Sequence, residues 1–344
     1  MNSLWRSFLE SRSARIDDAG RARFPDAPAE ADCALTALSS LGLIAVAGPE
    51  AEPFLQGQVT NDVPRLSTVV SQLGSHCSPK GRMLAGFRAF KRDEVIYLQL
   101  PHTQVATLTQ RLRMYLLRAK ATIEDASERF IAIAVAGTCA PSLLASRLET
   151  VPTQENEVTH AGELTTIRIP GPTPRFQLLG PVSALEGLWD DLTAAATVVN
   201  DEFWSLLDIR AGIPVVYRQT SDAFVPQMVN LQLLDGVSFK KGCYTGQEVV
   251  ARMQYLGKLK RRMYLARVGT DNPPAPGDAL QAADGRSEQA VGRVVDACSN
   301  GEGDYELLAV VEIQAAERGE VRLGSPDGPL LSLRDPPYGF PAQD

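Results

Sequence analysis

Apolar positions along the chain follow two rhythms. Short runs with strand character fall at 43–47, 83–90, 95–100, 131–136, 164–169 and 175–179, bounded by turn-forming clusters such as Gly48-Pro49 and Lys91-Arg92-Asp93-Glu94. Between them lie stretches with helical spacing. Residues 50–58 carry Phe54 and Leu55, and residues 104–119 place Val105, Leu108, Leu112, Tyr115 and Leu116 on one face. A further helix is predicted over 183–195. Another is capped by Asp201, carries Phe203, Trp204, Leu206, Leu207 and Ile209, and ends at Gly212 and Pro214. Residues 148–162 are polar and read as a loop or hairpin excursion.

The two ends of the chain differ from this middle. Residues 1–30 are polar and rich in Pro and Ala, which predicts a loose arm. The breaker cluster 270–278 marks a late boundary. The strand candidates beyond it, at 289–295, 305–312 and 319–323, alternate with Gly-rich turns and predict a small all-β module over 269–344. Gly301-Glu302-Gly303 reads as one of those turns. The pattern as a whole predicts an α+β protein with an appended β-barrel.

Composition sets outer limits. With 344 residues, 44% hydrophobic and 22% charged, the chain can bury more than one core. A net charge of −7 argues against a dedicated nucleic-acid coat. The longest aliphatic run, 131–136, is too short to cross a bilayer, and the charged first residues lack a secretory h-region. The expectation is a cytoplasmic protein with no membrane partner. Five widely spaced cysteines and three histidines form no closed zinc or iron–sulfur spacing, so no metal site is assigned; His76 beside Cys77 is a weak metal signal and reads as structural or exposed. Neither a P-loop nor a GxGxxG motif occurs.

Candidate chemistry concentrates at 236–262. Thr245-Gly246-Gln247-Glu248 fits a capping box and predicts a helix starting at Gly246, with Cys243 two residues before the cap. Residues 240–262 hold seven basic side chains against the one acid Glu248, a local balance of +6. Helix dipole and basic neighbours both favour a thiolate, making Cys243 the best candidate nucleophile or soft ligand. A small packing residue in a tight turn is the other reading of Cys243, and capping alone would explain Glu248.

Lys241-Gly242-Cys243-Tyr244-Thr245-Gly246-Gln247-Glu248 resembles the K-G-C-Y-x-G-Q-E signature of the YgfZ-type folate-binding proteins, a branch of the glycine-cleavage T-protein (aminomethyltransferase) superfamily. Phe54 to Asp62 (FLQGQVTND), Ser78 to Met83 (SPKGRM), Ala211 to Pro214 (AGIP), Phe224 to Gln227 (FVPQ) and Asn230-Leu231-Gln232 are similar to the family's other segments, collinear from about residue 43 to 262. The resemblance implies a three-part ring around a folate-sized opening. Two interleaved α+β domains over 31–268, split near 120–125, would be followed by the barrel. It implies tetrahydrofolate as cofactor. It also implies support of iron–sulfur cluster assembly or repair in client enzymes, tRNA-thiolating ones included, with those enzymes or cluster carriers as partners. Cys243 falls on the family's functional cysteine, a possible transient cluster ligand, and Trp204 on a tryptophan placed against the folate. Lys241, Tyr244, Gln247 and Glu248 complete the folate-contacting set, with Lys241 holding the glutamate tail or stabilising the thiolate. Core packing would equally explain Trp204.

The departures from the parent enzymes shape the expectation. A second family tryptophan falls on Leu41. The strand carrying the aminomethyltransferase carboxylate reads Met83-Leu84-Ala85-Gly86-Phe87-Arg88, and Met228 stands where those enzymes have a pterin-binding Glu. Aminomethyl transfer therefore lacks an obvious acid–base group, and the expectation is not a classical enzyme. The alternatives are a folate-dependent aminomethyltransferase-like enzyme of one-carbon chemistry and a non-catalytic RNA-binding module. Direct tRNA binding is disfavoured by the overall charge and the few aromatics near the basic run.

Overall fold

The apolar runs become strands because each buries most of its side chains, and the helices between them cover the sheet faces. The computed structural model describes residues 1–282, 290–301 and 303–340 of this α+β protein. The chain forms two compact units, each assembled from three pieces. Met1–Leu55, Val63–Gln72 and Phe87–Trp204 make the first, and Gln56–Asp62, Leu73–Gly86 and Ser205–Asp344 the second. The long exchange falls at Trp204/Ser205, inside the helix Asp201–Arg210.

In the first unit a six-stranded sheet runs in the order Val158–Ala161, Leu164–Ile169, Arg175–Gly180, Ile131–Gly137, Cys33–Ala37 and Thr197–Val198. Its pairs are antiparallel except the last. Leu41–Ala47 pairs antiparallel with both Val95–Pro101 and Thr122–Asp125, and Val95–Pro101 pairs with the second half of Met83–Arg92. Helix His102–Tyr115 buries Val105, Leu108 and Leu112, the stripe its spacing predicted.

Residues 1–30, expected to be a loose arm, are built into this unit. Ser3–Ser11 is a helix whose N-cap, Asn2, accepts from the backbone N–H of Leu4 at 2.9 Å and of Trp5 at 3.2 Å. Trp5 and Leu9, four residues apart, face the core, and Trp5 meets Trp189 edge-on at 5.7 Å. The short strands Arg15–Ile16 and Ala22–Arg23 follow as a hairpin. Asp201, read as a cap, lies in the first helical turn, where its Oδ2 accepts from the Ser40 N–H at 3.2 Å.

A disulfide joins Cys33 to Cys139 across a sequence separation of 106. The spacing gave no hint of it. The strand pairing Cys33↔Gly137 brings the two together. Disulfides persist in oxidising surroundings and are uncommon in reducing ones, so cysteine usage does not support the cytoplasmic expectation. Cys77, Cys243 and Cys298 remain free thiols.

The second unit carries a six-stranded antiparallel sheet in the order Val321–Leu323, Ala279–Ala282, Gly292–Ser299, Asp304–Glu312, Arg261–Gly269 and Ser332–Arg334. It begins at Arg261, ahead of the boundary expected at 269, because Arg261–Gly269 pairs along its length with Asp304–Glu312. Residue 289 of the expected strand 289–295 and Glu302 of the expected turn lie outside the described residues. Val268, Leu280, Val294, Leu307 and Val311 form the core of this sheet. A bulge between Val294 and Asp296 turns the buried Asp296 carboxyl toward Tyr217, whose hydroxyl donates to it at 3.0 Å. Burial pushes Asp296 up to about 7, and the charge of Asp208 adds to the rise. No helix among the described residues is long and apolar enough to cross a membrane.

Two outcomes follow from these features. A bridge closing so long a loop contributes roughly 2–4 kcal/mol, so Cys139→Ala should lower the urea midpoint of the oxidised protein, and added reductant should lower the wild type toward the variant. Asp296 gives a pH signature. The unfolded carboxyl releases its proton near pH ~4, and the folded one holds it up to about 7. Stability present below pH ~4 is therefore lost progressively as the pH rises through that window. Thermal melts from pH 4 to 8 should show this fall, and Asp296→Asn should flatten it.

Candidate functional site

The candidate signature lies wholly in the second unit, together with two short chain segments that leave the first unit to join it: Gln56–Asp62 and Leu73–Gly86. These carry most of the FLQGQVTND and all of the SPKGRM segments, so pieces far apart in sequence meet around residues 241–248.

The turn from Lys241 to Gly246 leads into the helix Gln247–Tyr255. Its N-cap is Gly246 at φ 84°, with no side-chain capping bond, so the Thr245/Glu248 capping box does not form and the helix starts one residue later than expected. Tertiary contact overrides the local motif. A Cβ on Gly246 would lie 2.4 Å from the Ser78 carbonyl oxygen and 3.0 Å from the Gly81 Cα. A Cβ on Gly81, itself at φ 69°, would lie 2.8 Å from the Cβ of Val249. The two turns touch backbone to backbone, and the left-handed conformation at Gly246 is open to glycine at little cost.

The Ser78–Arg82 turn is held in its own right. The Gly81 N–H donates to the Ser78 carbonyl at 2.8 Å, and the Ser78 N–H donates to the Arg82 carbonyl at 2.7 Å. The Ser78 hydroxyl donates to Asp222 at 2.8 Å, and Arg82 Nη1 donates to the Ala223 carbonyl at 2.6 Å. The Met83 N–H reaches the Phe224 carbonyl at 2.8 Å, tying in the segment that continues to Gln227 and Asn230. Gln227 Nε2 donates to the Val250 carbonyl at 2.7 Å, within the signature helix, while its buried Oε1 has no hydrogen-bond partner.

Lys241 ties the signature to the FLQGQVTND segment. Its Nζ donates to the carbonyls of Val59 and Asn61, both at 2.7 Å, and lies 5.1 Å from the centre of the Tyr244 ring. Two of its three N–H donors are engaged in this way, which gives Lys241 a structural role. Burial lowers the Lys241 amine to about 8, against the opposing pull of Asp62. Tyr244 is buried, its hydroxyl has no hydrogen-bond partner, and burial followed by the nearby Cys77 sulfur pushes its acidity well below that of a free phenol. Cys77 is buried and its thiol is pushed up to about 12 by burial. His76, also buried, places Nδ1 2.8 Å from the Gln58 carbonyl oxygen.

Amid these anchored groups Cys243 is exposed, as are Gly242 and Glu248, and Gln247 is half-buried. No group of three or more His, Cys, Asp or Glu among the described residues could hold a metal ion. Part of the basic run serves the sheet. Arg261 pairs with Glu312 at 2.8 Å, and Arg262 lies 3.8 Å over the Phe340 ring.

Trp204 belongs to the first unit, where it is buried with the Arg175 guanidinium 4.9 Å from the centre of its ring. One face of the indole is thus covered by a cation–π contact. Leu41 lines a narrow cleft of the first unit with Trp5, Leu43, Gln99 and His102. Trp5 went unrecognised because the first residues were read as an arm. The i, i+4 pair Trp5/Leu9 after Asn2 was the available signal.

No family model matches the chain. Among solved structures, the glycine cleavage system aminomethyltransferase T from Bartonella henselae superposes with a TM-score of 0.77 over 98% of each chain, at 16% identity. The chain has the aminomethyltransferase T fold. The heterotetrameric sarcosine oxidase from Corynebacterium sp. U-96 matches 48% of this chain and 87% of its own at 13% identity, with a TM-score of 0.36, too low to add to that assignment.

Substitutions separate the anchoring residues from the free ones. Gly246→Ala meets both a positive φ and the Ser78 carbonyl, and should destabilise by roughly 2–4 kcal/mol in urea unfolding. Lys241→Met leaves two carbonyls without their donor and should cost about 2 kcal/mol. Gly242→Ala, with nothing within 4 Å of the added methyl, should stay within about 0.5 kcal/mol of wild type.

Proposed function

We propose that the chain is a tetrahydrofolate-binding protein that supports iron–sulfur cluster assembly or repair in client enzymes, tRNA-thiolating enzymes among them, with Cys243 as its working thiol. The carrying observation is the contrast among the free cysteines. Cys77 and Cys298 are buried, as packing cysteines are, while Cys243 is exposed on a turn whose neighbours Lys241, Tyr244 and Gly246 are all committed to anchoring it. Such a turn presents one sulfur and holds its backbone fixed.

The aminomethyltransferase T fold supports a folate ligand, and two buried polar atoms of the second unit fit one. The Tyr244 hydroxyl and the Gln227 Oε1 lack partners, and an amide-rich heterocycle offers both donors and acceptors. Tetrahydrofolate, when bound, supplies a reduced pterin able to carry one-carbon units. The residues of this chain bind and orient it. The resemblance to the folate-binding family is what assigns Trp204, in the first unit, to a folate ligand. Met228 and the strand Met83–Arg92 supply no carboxylate where the parent enzymes have one, so proton transfer to a folate amine has no agent at those positions. That argues against aminomethyl transfer as the activity. Cys243 ligates an iron of the cluster cargo, the remaining ligands coming from the partner, or as a thiolate attacks a client disulfide, forming a mixed disulfide as the other client sulfur leaves as a thiolate.

Titration with tetrahydrofolate should quench tryptophan fluorescence saturably, and with only three tryptophans, at 5, 189 and 204, the Trp204→Phe variant should lose most of the response. A flat titration of the wild type would remove the folate assignment. Cys243→Ala should keep the folate response and the melting temperature yet fail to complement a strain lacking the family protein. Full rescue by that variant would end the thiol assignment.

A further inference from the structure

The signature helix ends in side chains that the fold leaves uncovered. Val249, Tyr255 and Leu256 are 37%, 68% and 85% exposed, a concentration of open apolar surface within eight residues. Val249, Arg252 and Leu256 follow at i, i+3 and i+7, so they lie along one face, while Val250 points into the core. The face is joined at both ends to the candidate site. Val249 abuts Gly81 of the Ser78–Arg82 turn. The Tyr255 ring meets Phe239 edge-on at 6.1 Å, four residues before Cys243.

Cations frame this surface. Lys240, Arg252, Lys258 and Lys260 are exposed, and none of their side chains has an acidic partner among the described residues. Glu248 is the one exposed acid on the helix. The +6 balance of residues 240–262 sits in a chain of net charge −7, so the positive field is local. Exposed apolar side chains interspersed along residues 240–260 with unpaired cations are the complement of an acidic surface bearing apolar anchors. A leucine at the tip gives a nucleic acid neither phosphate contact nor stacking, and the acidic remainder of the chain repels a long polyanion.

We propose that this face docks a partner protein through an acidic segment carrying leucine or phenylalanine, and that docking brings the partner to Cys243. The proposal rests on the reading of Cys243 as a working thiol and is independent of folate.

The probe is a fluorescein-labelled twelve-residue peptide of Asp and Glu with two leucines, with control peptides in which Ser replaces the leucines or Gln the acids. Anisotropy at low salt should show saturable binding to the full-length protein, and each control should bind roughly fivefold more weakly or worse. Leu256→Ser should weaken binding about fivefold, and Lys258→Glu with Lys260→Glu about tenfold, at unchanged melting temperature. The same peptide carrying a terminal iodoacetamide should alkylate Cys243 at least about tenfold faster than free iodoacetamide, an advantage lost in Leu256→Ser. Equal binding of all peptides, or indifference to the variants, overturns the proposal. So does binding of oligouridylate or anionic vesicles that exceeds peptide binding and depends on the same residues. Docking without faster alkylation overturns the link to Cys243. Failure of the thiol reading itself would appear separately, as rescue by Cys243→Ala with peptide binding intact.

Discussion

The second unit depends on a contact with no side chain in it. Gly246 and the turn at Ser78–Gly81 meet backbone to backbone, closer than any Cβ allows. That approach sets where the helix Gln247–Tyr255 begins, and with it the direction in which the preceding residues leave the turn. Lys241 secures the other end through two backbone carbonyls of a third segment. Two stretches within residues 59–81 and a third more than 150 positions later are thereby fixed relative to one another by backbone geometry and one amine. Little of the precision rests on apolar packing, which is more tolerant of substitution.

The economy of that arrangement explains the exposure of Cys243. Lys241 faces inward because it is half-buried against two carbonyls, Tyr244 because its ring is buried, and Gly246 because nothing larger fits. A rigid support under an exposed sulfur lowers the entropy lost when that sulfur engages another molecule. It also combines accessibility with positional order, which exposed side chains commonly lack.

Much of this was legible in the sequence. The strand at 164–169 was located to the residue, and the helices 104–119 and 183–195 to within a few residues, because apolar spacing reports directly on which face is buried. The partner that makes Gly246 obligatory sits 165 positions away at Gly81 and leaves no local trace. Thr245 and Glu248 had the letters of a capping box, and a tertiary contact overruled them. The engagement of Lys241 by Val59 and Asn61 was likewise hidden, since a carbonyl acceptor has no residue identity to read. The N-terminal helix was missed because Pro, Ala and Arg over 12–30 masked the short apolar pair Trp5/Leu9 ahead of them. The exposed apolar end of the signature helix was also beyond reach, because periodicity predicts burial and cannot tell which apolar residues a fold leaves open.

The bridge between Cys33 and Cys139 closes a covalent circuit that takes in two strands of the six-stranded sheet, Cys33–Ala37 and Ile131–Gly137, and the strands Leu41–Ala47, Val95–Pro101 and Thr122–Asp125. A peptide bond cut anywhere inside that circuit would not free a fragment, since the two pieces would stay tethered through sulfur. Proteolytic nicking and physical dissociation are thus separate events in this half of the molecule. A nicked chain would run as one species until the circuit is opened by a thiol, so redox state decides whether backbone damage there becomes loss of a part.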